Sequence, residues 1–367
     1  MTTPNFVVLA DDRTGAWETA GACADRIGSA VTVSLERAPS MRSDAVIDLA
    51  TRHLAPSHAA TIVRNAAARS SDDPAVRLLH KIDSTLRGNW AHQVVSVAAS
   101  HDLPIMVVAA FPLVGRTCRG GVVFDGDRPV ADGAAGRDPR QPVTMSRPAD
   151  HLLAAGAASV VELATADAVR RWLANGRRGI AVCDAHTDDD LDALGGVWAA
   201  HAATVFAGTA ASVGAAVGAL RPPPATSAFA RQRRPPLPGP ALVVCGSLHP
   251  MARRQLAVLA SEAPNIEIIA SSPPVHATVT ATQAGVTAAL LADATRRARS
   301  NTTFASVVII GGDTAAAILG DHERIIEGTI GPGLPWSIDG DSVVVTRPGG
   351  FGSDRSLIDV FSARMEG

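Results

Sequence analysis

Six short apolar runs rich in β-branched residues punctuate the chain: FVVLA at 6–10, AVIDLA at 45–50, IMVVAA at 105–110, GIAVCDA at 179–185, ALVVCG at 241–246 and SVVIIGG at 306–312. Longer alanine-rich amphipathic segments separate them. A strand apolar at nearly every position has no face to give to water, so it must be covered on both sides, which is the condition of a parallel strand between two helical layers. The pattern therefore predicts an α/β protein of mostly parallel sheets flanked by helices. It breaks between Leu220 and Ala241, where RPPPATSAFARQRRPPLPGP holds seven prolines and four arginines in twenty residues. Such a segment continues neither a helix nor a central strand and reads as a semi-rigid connector. Two domains are expected, 1–220 and 241–367, joined by the linker 221–240; 367 residues accommodate two at about 100–200 residues each. The glycine- and proline-rich stretch 115–145 surrounds an expected hairpin, VVFDGDRPV, over a sheet edge.

Composition excludes several functions. A net charge of −2 with 19% charged residues gives no basic field for nucleic acid, and no apolar run approaches the ~18 residues that span a bilayer. Cys23, Cys118, Cys183 and Cys245 stand singly, without a CxxC pair, and read as reduced, buried thiols. No metal-ligating set is identified: His249 and His276 have no second ligand at helical or hairpin spacing. MTTPNFVVLADD enters a strand without a basic segment followed by a long apolar one, so no secretory signal is read and a cytoplasmic location is expected.

Chemistry is expected where strands end. VVLADDRTG places Asp11 and Asp12 at the carboxyl end of the first strand, where open α/β sheets bind ligands. Asp12 reads as a general base or metal ligand, or alternatively as the cap of the following helix. HKIDSTLRGN carries Lys81, the only lysine among 33 basic residues. Its compact ammonium is not interchangeable with a flat guanidinium, and it is expected to face an anionic ligand and not a buried carboxylate. Lys81 and Arg87, with Asp83, Ser84, Thr85 and Asn89 beside them, suit a small, highly oxygenated anion; the plainer reading is an Asx turn at Asp83 and Ser84 with solvated cations. In the second domain, Ser247, the run Gly311, Gly312, Asp313, Thr314, and Gly349 with Gly350 offer glycine-flanked helix starts suited to phosphate. GxxxxGK[ST] is absent, as is GxGxxG after the first strand, which argues against a P-loop protein and a dinucleotide-dependent oxidoreductase.

The stretches ADDRTGAWETA, KIDSTLRGN, FPLVGRTCRGG with GRDP, CGSLHP, GGDTAAAIL, IGPGLPW and RPGGFGSD, in this order, resemble the four-carbon acid sugar kinases. The resemblance implies an ATP- and Mg²⁺-dependent phosphotransferase acting on the terminal hydroxyl of a tetronate or 3-oxo-tetronate. By it, the sugar acid binds the first domain through Asp11, Arg13, Ser84, Thr85, Arg87, Asn89 and Arg116, and ATP binds the second through Ser247, Gly311 to Thr314, Gly349 and Gly350. Asp12, Lys81 and Asp83 are the expected catalytic residues, and a homodimer is the expected assembly. Four positions depart from the family's pattern: Arg13 replaces an apolar residue, Glu18 an aspartate and Arg347 a lysine, and WAHQ after Asn89 lacks an acid. The Arg13 change, an added cation, suggests a more acidic or differently shaped ligand. A non-catalytic sugar-acid or nucleotide sensor of the same fold is the alternative.

Overall fold

The computed structural model describes residues 5–35, 44–71, 76–138, 141–176, 178–223, 237–272 and 280–362. The chain forms two compact units, Met1–Ala230 and Arg231–Gly367. Most of the proline-rich linker, and His276, lie outside the described residues.

The first unit contains strands β1 (Asn5–Ala10), β2 (Val31–Leu35), β3 (Ala45–Asp48), β4 (Val76–Lys81), β5 (Ile105–Val108), β6 (Arg116–Arg119), β7 (Val122–Asp125), β8 (Arg128–Pro129), β9 (Val160–Leu163), β10 (Ile180–Cys183) and β11 (Val205–Gly208). Its helices are α1 (Arg13–Ile27), α2 (Pro56–Ser71), α3 (Trp90–His101), α4 (Pro148–Ala154), α5 (Ala166–Ala174), α6 (Asp188–Ala200) and α7 (Ala210–Leu220). The main-sheet strands of this unit lie in the order β2, β3, β1, β4, β11, β5, β10, β9, with every neighbouring pair parallel. The apolar runs explain the arrangement: Phe6 to Ala10, Ile105 to Val108 and Ile180 to Cys183 are buried throughout, covered by α1, α6 and α7 in one layer and α2 and α3 in another.

The chain leaves β1 toward β2 and β3 on one side and then crosses to β4 on the other. The carboxyl ends of β1 and β4 therefore flank a topological switch point, the place where open α/β sheets leave a crevice. The expected hairpin is present as β7 and β8, antiparallel through Phe124–Pro129 and Asp125–Arg128. With β6 it forms a separate antiparallel sheet, anchored by the Cys118–Ala185 bridge just beyond β10.

The second unit contains β12 (Ala241–Cys245), β13 (Glu267–Ala270), β14 (Ser306–Ile310), β15 (Arg324–Ile326), β16 (Gly328–Thr329), β17 (Pro335–Asp339) and β18 (Ser342–Arg347), with α8 (Pro250–Glu262), α9 (Ala281–Asn301), α10 (Gly312–Leu319) and α11 (Ser356–Asp359). Its sheet order is β13, β12, β14, β18, β17, β16, parallel from β13 to β18 and antiparallel beyond. The core gathers Val243, Cys245, Leu259, Val308, Ile310 and Val345 between the sheet and α8. A second switch point falls between β12 and β14. All four cysteines are free and buried. Among the described residues, no helix is long and apolar enough to cross a membrane.

Candidate active site

Asp11 and Asp12 follow β1 directly, and β3 beside it delivers the loop that carries Arg52. The Arg52 guanidinium clasps Asp11 through two bonds of 2.9 and 2.8 Å, reaches Asp12 Oδ1 at 2.9 Å and stands 3.6 Å from Asp83. Its loop is fixed from below. Asn89 Nδ2 donates to the carbonyls of Thr51, Arg52 and Leu54, and Gln93 donates to Thr51 Oγ1 while bonding His80 Nε2. Burial pushes the His80 imidazole down to about 4, so it is neutral in this network. Gly88 turns with φ +86°, and a β-carbon there would lie 2.9 Å from Asp11 Oδ2 and 3.4 Å from Arg52 Cγ, so the glycine admits this pair.

Asp12 caps α1, accepting from Gly15 N at 3.2 Å and from Thr14 Oγ1 at 2.6 Å. The capping reading of Asp12 is thus true, and it does not remove Asp12 from the crevice. Burial opposes its ionisation, but Arg52, Lys81 and the Thr14 hydroxyl outweigh that and hold the carboxyl below its usual range. Asp11 is the reverse: complete burial outweighs Arg52, with Asp12's charge adding to it, and the carboxyl is raised. Asp83 makes an Asx turn, accepting from Thr85 N at 3.2 Å, and also holds Arg87 at 3.0 and 3.1 Å. Burial is overcome there by Arg87 and Arg52, and Asp83 stays well below the ordinary range. Arg87 bonds Asp138 as well, at 3.1 Å.

Lys81, the last residue of β4, is 2% exposed. It corrects the expectation of an ammonium clear of buried carboxylates: Nζ faces Glu18 Oε2 at 4.0 Å and acts electrostatically on Asp11, Asp12 and Asp83. The physical reason is register. Gly15 and Glu18, three residues apart on α1, share the face toward β4, and a β-carbon on Gly15 would lie 3.3 Å from Lys81 Nζ. Burial pushes Glu18 up to about 7 despite Lys81.

The structure thus gathers Asp11, Asp12, Lys81, Asp83 and Arg87, with the buried Ser84 and Thr85 beside them. Four expected ligand contacts are committed within the protein, first Asp11, which is fully buried with both oxygens held by Arg52 and so supports the site through that pair. Arg13 Nε bonds Asp48 at 2.8 Å, so its charge is matched, contrary to the added cation read from sequence. Arg116 bonds Asp125 at 3.2 Å and the carbonyl of Val114. The Asn89 amide hydrogens are directed to backbone carbonyls, as above. Arg52 went unread in the sequence because no motif surrounds it.

In the second unit the ends of β12, β14 and β18 are tied together by Gly246 N to Ile310 O at 3.1 Å and Gly311 N to Arg347 O at 3.0 Å. Gly311 has φ +111°, and a β-carbon on it would approach Ser247 N at 3.4 Å. One on Gly349 would lie 2.6 Å from Ser247 Cβ, and one on Gly350 3.3 Å from His249 Nε2. Ser247, Gly311, Thr314, Gly349 and Gly350 therefore lie close together at the starts of α8 and α10, with the glycines packed against Ser247 and His249. Arg347 is 2% exposed, and its Nε and Nη1 have no hydrogen-bond partner among the described residues. Burial lowers it to about 10, and with Nη2 donating to the Phe351 carbonyl, two guanidinium nitrogens are left unmet at the end of β18. This combination fits phosphate. No cluster of three or more metal-ligating side chains occurs among the described residues.

Residues 6–217 match the family model described as a sugar-binding N-terminal domain. The chain is 32% identical to a D-threonate kinase of Bordetella bronchiseptica, over 99% of this chain and 98% of that one. The chain belongs to the four-carbon acid sugar kinase family. A D-erythronate kinase of Heliobacterium modesticaldum is 33% identical over 69% of this chain and 59% of its own length. A Haemophilus influenzae crystal structure shares the fold, with a TM-score of 0.66 and 18% identity over 97% of this chain and 100% of that one.

Proposed function

We propose that this kinase transfers the terminal phosphoryl group of ATP to the primary hydroxyl of a four-carbon sugar acid, D-threonate or D-erythronate in the first instance and a 3-oxo-tetronate next. The observation that carries the reading is the Asp11, Asp12, Lys81, Asp83 and Arg52 cluster at the β1–β4 switch point, in a family member whose full-length relative is a D-threonate kinase. The sugar acid binds there, its carboxylate drawn to the cations. Asp12 accepts the hydroxyl proton as that oxygen bonds to the γ-phosphorus and the bond to the β-phosphate oxygen breaks, releasing ADP. A carboxylate held below its usual range is a weak base, which suits a loose transition state in which the proton leaves late. Positioning and charge neutralisation supply most of the rate.

The ATP phosphates rest on the second unit, against Ser247, Gly311, Gly312, Asp313 and Thr314, with Gly349 and Gly350 over them and the unmet Arg347 donors available. Mg²⁺, bound to the nucleotide's phosphates, would supply further charge neutralisation. Pairing of Arg13 with Asp48 leaves no added cation there to disable the site, which weighs against the sensor alternative. A panel of four-carbon acids with ATP and Mg²⁺, read by ADP release, tests the reading, and sedimentation of the same preparation reads the expected homodimer. Turnover on a tetronate is expected, and none on any sugar acid would sink the proposal.

A further inference from the structure

Among the described residues, Glu18 is the one acid facing the crevice whose carboxylate is not fully occupied. Of its two oxygens, Oε2 faces Lys81 at 4.0 Å, while Oε1 is buried with no hydrogen-bond partner. The residue is 7% exposed, so water does not freely meet that need. A buried acceptor left unmet is costly, and native structures keep one where a ligand or an ordered water completes it. The charged groups that act on it are Lys81, Asp12, Asp83 and Arg116, which belong to β4, the α1 cap, the turn after β4 and β6. Each lies on the crevice side, and the acceptor that wants a donor stands in the ring of charge around the substrate position. The partner chemistry follows from the atom. An unmet carboxylate oxygen next to an ammonium calls for a neutral O–H donor, since a second carboxylate would be repelled.

We propose that Glu18 reads a secondary hydroxyl of the sugar acid, accepting its O–H at Oε1 while Oε2 holds the Lys81 ammonium beside Asp12. This assignment rests on the sugar-acid reading of the crevice and specifies which protein atom selects a hydroxylated acid over a deoxy one. The carboxylate is the stronger acceptor when ionised. Because burial raises Glu18 to about 7, sugar-acid affinity rises with pH through that value.

The test is calorimetric binding of D-threonate and of its 2-deoxy and 3-deoxy analogues, from pH 6 to 8.5, to the parent chain and to Glu18→Gln and Glu18→Asp. The parent is expected to favour D-threonate over one deoxy analogue by about 10-fold or more, the worth of a hydrogen bond to a charged group. Glu18→Gln loses that discrimination and the pH step together. Glu18→Asp, charged but one methylene shorter, keeps the pH step and loses affinity, and it serves if the amide variant does not fold. Parental affinity, discrimination and pH step in either folded variant overturn the assignment while leaving the sugar-acid site in place. A parent chain that binds none of the three acids overturns the sugar-acid reading, and the assignment with it.

Discussion

The two units present the same topological device, a crevice where strand order reverses, and furnish it with opposite chemistry. At the β1–β4 switch point the lining is charge: Asp11, Asp12, Asp83 and Glu18 against Arg52, Lys81 and Arg87, most of them buried. At the β12–β14 switch point it is small side chains: Gly246, Gly311, Gly349 and Gly350 with Ser247 and Thr314, and the buried Arg347 at the end of β18. The first can steer protons and hold a small polar acid in one orientation. The second can bring backbone N–H groups close to a phosphate. Substitutions in the first crevice should therefore act on turnover and on the sugar acid, and substitutions in the second on the nucleotide.

The largest effect is expected from Asp12→Asn. Asparagine caps a helix as well as aspartate does but gives up the Arg52 ion pair and the charge that Arg52 and Lys81 hold ionised, so the melting temperature should fall modestly at neutral pH while kcat falls about 10³-fold, the scale of a lost proton acceptor. Steady-state kinetics beside a thermal melt separate the two roles of this residue. Parental turnover in Asp12→Asn would confine it to capping.

Lys81 comes next. Lys81→Met should lower kcat/KM for the sugar acid by about 10²-fold, and Lys81→Arg should fall well short of the parent because a planar fork does not fit a space built for an ammonium. Stability should fall too, since Glu18 then loses its cation and takes up a proton to remain buried. Equal kinetics for Lys81→Arg and parent would make the lone lysine an accident of composition.

The strand positions behind this site were legible in sequence because burial on both faces leaves an unbroken apolar run: β1, β3, β5, β10, β12 and β14 coincide with the six runs. The strand order was not, since β11 inserts between β4 and β5 by pairing across about a hundred residues of chain. Asp12, Lys81 and Asp83 were legible as polar residues at strand ends. Arg52 was not, because its place depends on β3 lying beside β1. Nor was the Glu18–Lys81 approach, which depends on how α1 packs over β4.

Glu18 sharpens the contrast through stability. Its folded value, about 7, lies above the ordinary 4.5, so the folded state binds a proton more tightly than the unfolded chain. The associated stability is present below about pH 4.5 and is lost as pH rises through 7. Glu18→Gln escapes this loss and should be more stable than the parent at pH 8, by up to about 3 kcal/mol, while the two converge at about pH 4 to 5. Chemical denaturation at both pH values measures it. A site that weakens the fold in order to keep an ionised acceptor is the behaviour expected of functional residues.

In the second crevice, Gly349→Ala drives a methyl group into Ser247, 2.6 Å from its Cβ. The backbone tolerates alanine, so folding should persist while KM for ATP rises about 10-fold and KM for the sugar acid stays put. A change in the sugar-acid KM with none in ATP would invert the assignment of the two crevices.

The smallest effect on activity is expected from Arg13→Leu, the position at which sequence alone suggested an altered substrate. The guanidinium donates to Asp48 at 2.8 Å and lies 5.8 Å from the Trp17 ring centroid, so both its charge and its flat face are engaged within the protein. Removing it should change kcat/KM by less than about 3-fold, because a matched pair presents little net field to a ligand. What should change is Asp48. Burial already raises its carboxyl, with Arg13 and the Ala50 amide opposing that rise, so without Arg13 the group moves further up. The Arg13→Leu variant should lose stability relative to the parent as pH rises past the ordinary carboxylate range, and recover it in acid, where Asp48 is protonated in both proteins. Melts at pH 5 and pH 8 beside D-threonate and D-erythronate kinetics decide it: a reversal of the preferred acid with no pH-dependent loss of stability would return Arg13 to the substrate site.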